Sequence, residues 1–387
     1  MHRLSSLFLV LLVSALALAP GRASAFPWMI HHGYTGCAQC HVDPSGAGIL
    51  TDYGRGQSEI LLKSNYGKEP KNPEKVSSFL FGAVTLPKQL EVQADVRDIV
   101  IPEPGNVRII LMQADARAAL AVGPFIASGS IGTVSEGAEL AQISSNDTGF
   151  KLVSREYWVG AIPTKGLTIR AGRMNLPFGI RTEDHVLFVR SATSTTINDD
   201  QQVGLAVAYG NKKMRGEIMG IAGNFQVSPD DFRKRGYSAF FALTPSKKLE
   251  IGVSSLFTRS ALDTETLAPR TFLSEGLFLR TAPIPPLAIM AEGDVLIDNQ
   301  DGDRSLGLAT TGLLDYEPIQ GLHVQGIGQY CKRAMSENDS QYTANLGLQW
   351  FFYSRVDVRL DGGYGDIFCT PGSTPSGYGL VQAHIFL

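Results

Sequence analysis

Val356-Asp357-Val358-Arg359-Leu360-Asp361 alternates apolar and charged side chains residue by residue. Because successive side chains of a β-strand point to opposite faces, this stretch predicts a strand with one aliphatic and one charged face. Leu249-Glu250-Ile251-Gly252-Val253 has the same pattern. From Val76 onward such runs follow one another without helical periodicity, so residues 76–387 are predicted to be all-β.

Sixteen runs of this kind can be marked, and the links between them alternate in length. The runs begin near Gln89, Asn106, Gly123, Arg155, Leu167, Gln202, Met214, Gly236, Leu249, Leu273, Leu287, Arg304, Gly321, Ser340, Val356 and Gly377. Short links (163–166, 211–213, 245–248, 353–355) alternate with longer ones (136–154, 174–201, 223–235, 259–272). About sixteen antiparallel strands with such links are typical of an outer-membrane β-barrel, with charged faces toward the lumen and aliphatic faces toward lipid. A soluble β-sandwich is the alternative, but it gives no reason for the alternation.

The last residues of the sequence follow the same rule. Val381, Ala383, Ile385 and Leu387 share one face, and Gln382, His384 and Phe386 share the other. The pattern resembles the C-terminal insertion signal of bacterial outer-membrane proteins, with leucine in place of the usual terminal aromatic residue. With an even number of strands, both ends of the barrel are expected on the short-turn side, the periplasm.

The first 25 residues are predicted to be a signal peptide. His2 and Arg3 precede an apolar run at 7–19, and Ala23-Ser24-Ala25 is a small-residue cleavage site. A retained membrane anchor is the alternative, but the run is shorter than the ~20 residues that a membrane span needs. The mature chain is therefore expected to begin at Phe26, outside the cytoplasm.

Cys37-Ala38-Gln39-Cys40-His41 predicts a covalent c-type haem site. Two thiols at this spacing can form thioethers with the two vinyl groups of the porphyrin, and His41 then ligates the iron as the proximal ligand. A zinc site would need two further ligands nearby, and a thioredoxin-like redox pair would need a βαβ context. A disulfide between the two cysteines would leave His41 unexplained.

The haem segment is predicted to cover residues 26–75, with one helix at about 51–65 and a linker at 68–75. It is too small to form a core of its own, so either the haem supplies much of its packing or the segment docks onto something larger. His32 is the candidate distal iron ligand, because it lies within the same short segment. The other candidates are Met29, His31, Met174, His185, His323 and His384.

Three further features have two interpretations each. The link 174–201, rich in arginine, either folds into the lumen or is a surface loop; a basic lumen would favour anions. Cys331 and Cys369 are either a disulfide or two free thiols. The acidic tip Asn299-Gln-Asp-Gly-Asp303 is either a Ca²⁺ site or a polar hairpin. The net charge of −3 gives no sign of nucleic-acid binding.

The signal peptide, the CxxCH motif and the barrel together resemble the fused monohaem cytochrome–porins. The run Ala171-Gly-Arg-Met-Asn-Leu-Pro-Phe-Gly179 also looks like a porin segment. The resemblance implies an electron carrier or an Fe(II)-oxidising cytochrome in the outer membrane. Its partners would be lipid, a periplasmic electron-transfer cytochrome, and an extracellular donor or acceptor. The surroundings of the motif (33–48) look closer to uncharacterised members than to the iron oxidases. The alternatives are a porin for small anions with a haem-bearing gate or sensor, and a soluble periplasmic cytochrome.

Overall fold

The computed structural model describes residues 26–46, 48–66, 77–103, 105–135, 150–182, 184, 186–263 and 266–387. The predicted signal peptide and the whole of the predicted linker lie outside this described part. The strands of the described part form one antiparallel sheet, which closes on itself where β1 pairs with β17. They are β1 (Leu90–Glu103), β2 (Asn106–Val122), β3 (Phe125–Ser135), β4 (Phe150–Val153), β5 (Tyr157–Thr164), β6 (Leu167–Met174), β7 (Gln202–Gly210), β8 (Met214–Gly223), β9 (Arg235–Ser246), β10 (Leu249–Ser260), β11 (Arg270–Ile284), β12 (Leu287–Gln300), β13 (Asp303–Ile319), β14 (Leu322–Lys332), β15 (Gln341–Tyr353), β16 (Val356–Gly365) and β17 (Ser376–Phe386).

The closed sheet is a sixteen-stranded barrel, because β4 and β5 are two pieces of one barrel strand. Both pair with β3, and residues 154–156 interrupt them. The predicted fold class is confirmed, and every predicted strand start lies within three residues of an observed one, the largest offset being Leu273 against Arg270. The prediction that 136–154 is a link throughout is wrong for 150–153. This four-residue run is too short for alternation to reveal it.

The barrel wall is polar inside and apolar outside. Asp357, Arg359 and Asp361 are buried in the lumen, whereas Leu360 between them is exposed. In β17, His384 and Phe386 point inward and Ile385 outward. The faces predicted for both stretches are confirmed. A water-soluble sheet would carry the opposite distribution, since burying charge without a partner is costly.

Exposed aromatic side chains form two belts around the barrel, one near each end of the strands. Near the long-loop end these are Tyr157, Tyr237, Tyr330, Tyr342 and Tyr364, and near the short-turn end Tyr209, Tyr316, Trp350, Phe352 and Tyr353. Between the belts the outer surface is mostly aliphatic. Aromatic belts on both sides of an apolar band are typical of transmembrane barrels.

The N-terminal segment contains two short helical pieces. A 3₁₀ helix spans Pro27–His32, and helix α1 spans Asp52–Gln57 and continues as a π-helical turn over Ser58–Leu62. Thr51 caps α1 by accepting a hydrogen bond from the Gly54 amide, as its position before the helix leads one to expect. In the described residues no helix is long and apolar enough to cross a membrane.

Candidate functional site

The N-terminal segment lies inside the short-turn end of the barrel and contacts the wall on several sides. Asp43 forms a buried ion pair with Arg170 of β6, and the Leu50 amide donates to Gln93 of β1 at 2.8 Å. Further contacts are Arg280 to the carbonyls of Pro27 and Thr35, Ser64 to the carbonyl of Phe351, Ser58 to Ser354, and Arg55 to Glu91. The segment therefore crosses the lumen.

The CxxCH motif forms a tight turn that its own segment supports. The amides of Cys40 and His41 both donate to the Cys37 carbonyl at 3.1 Å, and His41 pairs in antiparallel fashion with Leu50. The α1 helix packs against this turn at Gly54, where a Cβ would collide with the Cys40 carbonyl. Cys37 and Cys40 are not joined in a disulfide, and burial, followed by the neighbouring Cys37, raises the pKa of Cys40 to about 12.

Cys37 and His41 line a cavity in the lumen whose empty space of about 950 Å³ includes open solvent. Gly46 keeps it open beside the thiol, because a Cβ there would lie 2.9 Å from the Cys37 sulfur, and its φ of 76° also favours glycine. The Cys37 thiol and the His41 imidazole at the edge of this cavity, with Cys40 in the same turn, are the donor set that a covalent haem requires. The residues therefore fit the group.

The cavity wall is rich in arginine, and the carboxylates of Asp115 and Glu217 behind it pair with Arg117, Arg155 and Arg181. Its lining holds four arginines (Arg97, Arg117, Arg155 and Arg181) against two carboxylates (Asp95 and Glu156). Hydrogen bonds hold these guanidinium groups in place, for example Arg155 to Asp115 at 2.7 Å and Arg97 to Gln113 at 2.9 Å. Sequence reasoning missed Arg97, Arg117 and Arg155. The sequence signal for Arg97 and Arg117 is their position on the inward face of β1 and β2. The signal for Arg155 is its place at the start of the predicted run that contains β5.

The link 174–201 folds into the lumen, which confirms the first of its two interpretations. It contains helix α2 (Phe188–Thr193). The Ile180 amide donates to Glu292 of β12 at 2.7 Å, and the Phe188 amide donates to Gln329 of β14 at 2.7 Å. Arg181, Thr182 and Asn198 of the link complete the cavity wall opposite Cys37 and His41. The cavity thus lies between the N-terminal segment and this inward loop.

The candidate distal ligands lie in different places. His32 is not part of the cavity lining, and its Nε2 lies 3.2 Å from Oε2 of Glu317. His384 does line the cavity, and its Nε2 lies 2.9 Å from Asp95. His185 is outside the described residues. The role of His32 as distal ligand stays a prediction, and His384 is the candidate that the structure brings to the cavity.

His31 and His323 belong to the surroundings of His32. The Nε2 of His31 lies 3.3 Å from Oε2 of Glu317, and the Nδ1 of His323 lies 2.9 Å from Asp315. Burial, followed by the adjacent His32, lowers the pKa of His31 to about 4, so this imidazole is neutral at pH 7.

The two other open questions receive an answer. Cys331 at the end of β14 and Cys369 in the loop between β16 and β17 form a disulfide. The tip 299–303 is a polar hairpin, in which the Gly302 amide donates to the Asn299 side chain at 3.1 Å.

No family model matches this sequence, and no curated protein matches it. Solved structures do match its fold. OmpT, an outer membrane protein of Vibrio cholerae, is 12% identical, covering 77% of this chain and 99% of that one, with a TM-score of 0.59. An anion-selective porin from Comamonas acidovorans is 11% identical, covering 77% and 98%, with a TM-score of 0.55. The outer membrane channel DcaP of Acinetobacter baumannii is 11% identical, covering 77% and 97%, with a TM-score of 0.54. The chain has the fold of bacterial outer-membrane barrels of the porin type.

Proposed function

We propose that this protein is an outer-membrane channel for small anions whose N-terminal segment carries one covalent haem and acts as the gate. The observation that carries the proposal is the cavity inside a porin-type barrel, lined by four arginines and two carboxylates. A basic lumen concentrates anions and excludes cations. The anion-selective porin with the same fold adds support, and together these favour a channel over the electron conduit that the CxxCH motif first suggests.

The surface of the barrel supports a place in the outer membrane. The aliphatic band with an aromatic belt at each end is suited to contact lipid, and the inward-facing charges avoid it. The short turns and the N-terminal segment lie at the same end, which we assign to the periplasm because bacterial barrels keep their short turns there.

The haem would be held by Cys37 and Cys40 as thioethers, with His41 as the proximal iron ligand. When bound, it supplies a one-electron redox centre. Arg97 and Arg117 line the same cavity, and guanidinium groups bind carboxylates in a forked geometry. They therefore suit either the carboxylates of the cofactor or a permeating anion.

The gate is the N-terminal segment, because it crosses the lumen at the short-turn end. Its hold on the wall includes the buried pair of Asp43 and Arg170 and the contact of Arg55 with Glu91. Separating a buried ion pair costs several kcal/mol unless each charge finds a new partner. The closed arrangement is therefore stable, and opening requires displacement of the segment.

Planar-bilayer recording of the full mature chain tests the channel. In a KCl gradient, the reversal potential is expected to have the sign of an anion-selective pore, with brief openings. Arg181→Gln should weaken the selectivity, since it removes a cavity charge while Glu217 keeps Arg170 as a partner. The control is Arg304→Gln, the same charge change on an exposed strand end. Cation selectivity, or the absence of current under all conditions, would overturn the proposal.

Electron transfer across the membrane is the second candidate, and the position of Cys37 and His41 favours it. A haem attached there would lie in the lumen, between the N-terminal segment and the inward loop, rather than below the barrel. This matters because the apolar band of such barrels is about 25 Å tall, too far for one centre in the periplasm to bridge. The partners would be an extracellular donor or acceptor, such as Fe(II), and a periplasmic cytochrome.

An experiment in lipid vesicles distinguishes electron transfer across the membrane from anion conduction. The protein is reconstituted in vesicles with a redox dye trapped inside, and Fe(II) or another reductant is added outside. Reduction of the haem and then of the dye would support electron transfer. If neither the haem nor the dye is reduced while anion currents are present, only the channel function is supported.

A further inference from the structure

A second cluster of ligand-type side chains lies at the short-turn end of the barrel, apart from the haem cavity. It consists of His31 and His32 at the end of the Pro27–His32 helix and Glu317 near the end of β13. The Nε2 atoms lie 3.3 and 3.2 Å from Oε2 of Glu317, and the three ligand atoms all lie within 4.8 Å of one another. None of the three residues lines the haem cavity.

The three side chains converge on one point without fully satisfying one another. Nε2 of His31 is buried and makes no hydrogen bond to a residue in the described part of the chain, and Nε2 of His32 faces Oε2 of Glu317 at ion-pair distance. The other oxygen of Glu317, Oε1, already accepts a hydrogen bond from the Gly321 amide at 2.8 Å, which holds the carboxylate with Oε2 toward the histidines. Buried polar atoms are normally paired, so this arrangement points to a missing partner.

The surroundings of the cluster are those of a metal site. His323 lies beside Glu317, 3.9 Å from Oε1, and its Nδ1 contacts Asp315 at 2.9 Å. The Trp28 ring packs on His323 with 4.0 Å between ring centroids, and Phe351 packs against both. An apolar shell of this kind limits the access of solvent to the cluster.

We propose that His31, His32 and Glu317 bind one divalent first-row transition-metal ion. Imidazole with carboxylate is a ligand set for Zn²⁺ and Fe²⁺, and three protein ligands leave at least one coordination position open. Ligand bonds of ~2.0–2.1 Å in a tetrahedral site put neighbouring ligand atoms about 3.3 Å apart. The two nitrogen-to-oxygen distances in the cluster match this spacing.

The bound ion would clamp the N-terminal segment to the barrel. Two of its ligands come from the segment and the third from β13, and these parts are about 285 residues apart in the sequence. Because a metal that binds only the folded arrangement stabilises it, occupancy should also protect the segment from proteolysis.

Zinc binding to the full mature chain tests the site. The protein is purified in detergent, stripped with a chelator that leaves the covalent haem in place, and dialysed against Zn²⁺ before metal analysis. One zinc per chain is expected, in addition to any haem iron. His32→Ala and Glu317→Gln should each weaken zinc binding more than about tenfold, since even the loss of a supporting residue costs 10–100-fold.

The matched control is Glu275→Gln, an exposed strand carboxylate that contacts Ser255. It should bind zinc like the parent chain. His32 is partly exposed, so its replacement keeps the test valid should Glu317→Gln not fold. Failure of the folded parent chain to take up one zinc, or equal zinc affinity in His32→Ala and the control, would overturn the proposal. Neither result measures anion selectivity, so the proposed channel is tested separately by the bilayer recordings.

Discussion

Asp43 of the N-terminal segment and Arg170 of β6 form an ion pair whose side chains are 2% and 0% exposed. Arg170 also contacts Glu217 of β8, so one guanidinium joins the segment to two barrel strands. Because a buried charge that loses its partner is costly, this pair ties the position of the segment to an intact wall.

Replacing Asp43 by Asn should loosen the segment by about 1.5–3 kcal/mol, since Arg170 keeps Glu217 while one charged hydrogen bond is lost. Arg170→Met should cost more, about 3–5 kcal/mol, because it leaves Asp43 as an unpaired buried charge. Denaturant unfolding of the full chain gives both values. Asp303→Asn, at an exposed hairpin, is the control. Equal midpoints for Asp43→Asn and the control would contradict the role of the pair.

The haem should be covalently bound through Cys37 and Cys40. The double variant Cys37→Ser/Cys40→Ser should lose the haem from the denatured polypeptide, as detected by haem staining after gel electrophoresis under denaturing conditions. Cys331→Ser/Cys369→Ser removes the same number of thiols and should keep the stain, because these two form the disulfide. A stained Cys37→Ser/Cys40→Ser chain, or an unstained parent chain, would contradict the attachment.

The strands were predictable because alternation is a local signal. In β16 the alternation assigns every residue to one face of the sheet. Asp357, Arg359 and Asp361 lie in the lumen as this pattern indicates. The alternation also predicts a polar inner face and an apolar outer face once the sheet is taken to be a membrane barrel. What failed was the short β4, whose four residues carry too little periodicity before the interruption at 154–156.

The sites were predictable only where their residues are adjacent in sequence. Cys37, Cys40 and His41 form one motif, and their spacing alone predicts the haem attachment, which stays a prediction. Glu317 meets His32 only because the N-terminal segment enters the barrel, and Arg155 reaches Asp115 across strands in the lumen. Such contacts depend on register and on how the segment docks, and no local pattern encodes them.

The disulfide between Cys331 and Cys369 should stabilise the long-loop end of the barrel. It closes a separation of 38 residues, which in the chain-entropy model corresponds to about 4 kcal/mol. Arg333, two residues after Cys331, joins this end to α2, since it donates to the carbonyls of Cys369 and Ala192. A reducing agent should therefore lower the unfolding midpoint of the parent chain and leave Cys331→Ser/Cys369→Ser unchanged. An unchanged or raised unfolding midpoint of the parent chain on reduction would contradict this stabilising role.

Glu292 should hold the inward loop against the wall. Its carboxylate pairs with Arg190 of α2 and accepts the Ile180 amide at 2.7 Å, and Gly179 beside it has a left-handed φ of 53°. A Cβ at Gly179 would collide with both the carboxylate and the guanidinium, so only glycine allows this approach.

Glu292→Gln should loosen the loop, because Arg190 loses its direct carboxylate partner and keeps the carbonyl of Phe178, the hydroxyl of Thr195 and the longer-range attraction of Asp294. Loss of a buried charge partner costs about 3 kcal/mol or more, enough to shift the loop toward detached conformations. Trypsin should then cleave after Arg181 or Arg190 in the folded barrel, and single-channel currents should become larger and noisier. Glu275→Gln, an exposed carboxylate on neighbouring β11, should change neither. Trypsin resistance equal to that of the parent chain would show that the remaining contacts hold the loop without Glu292.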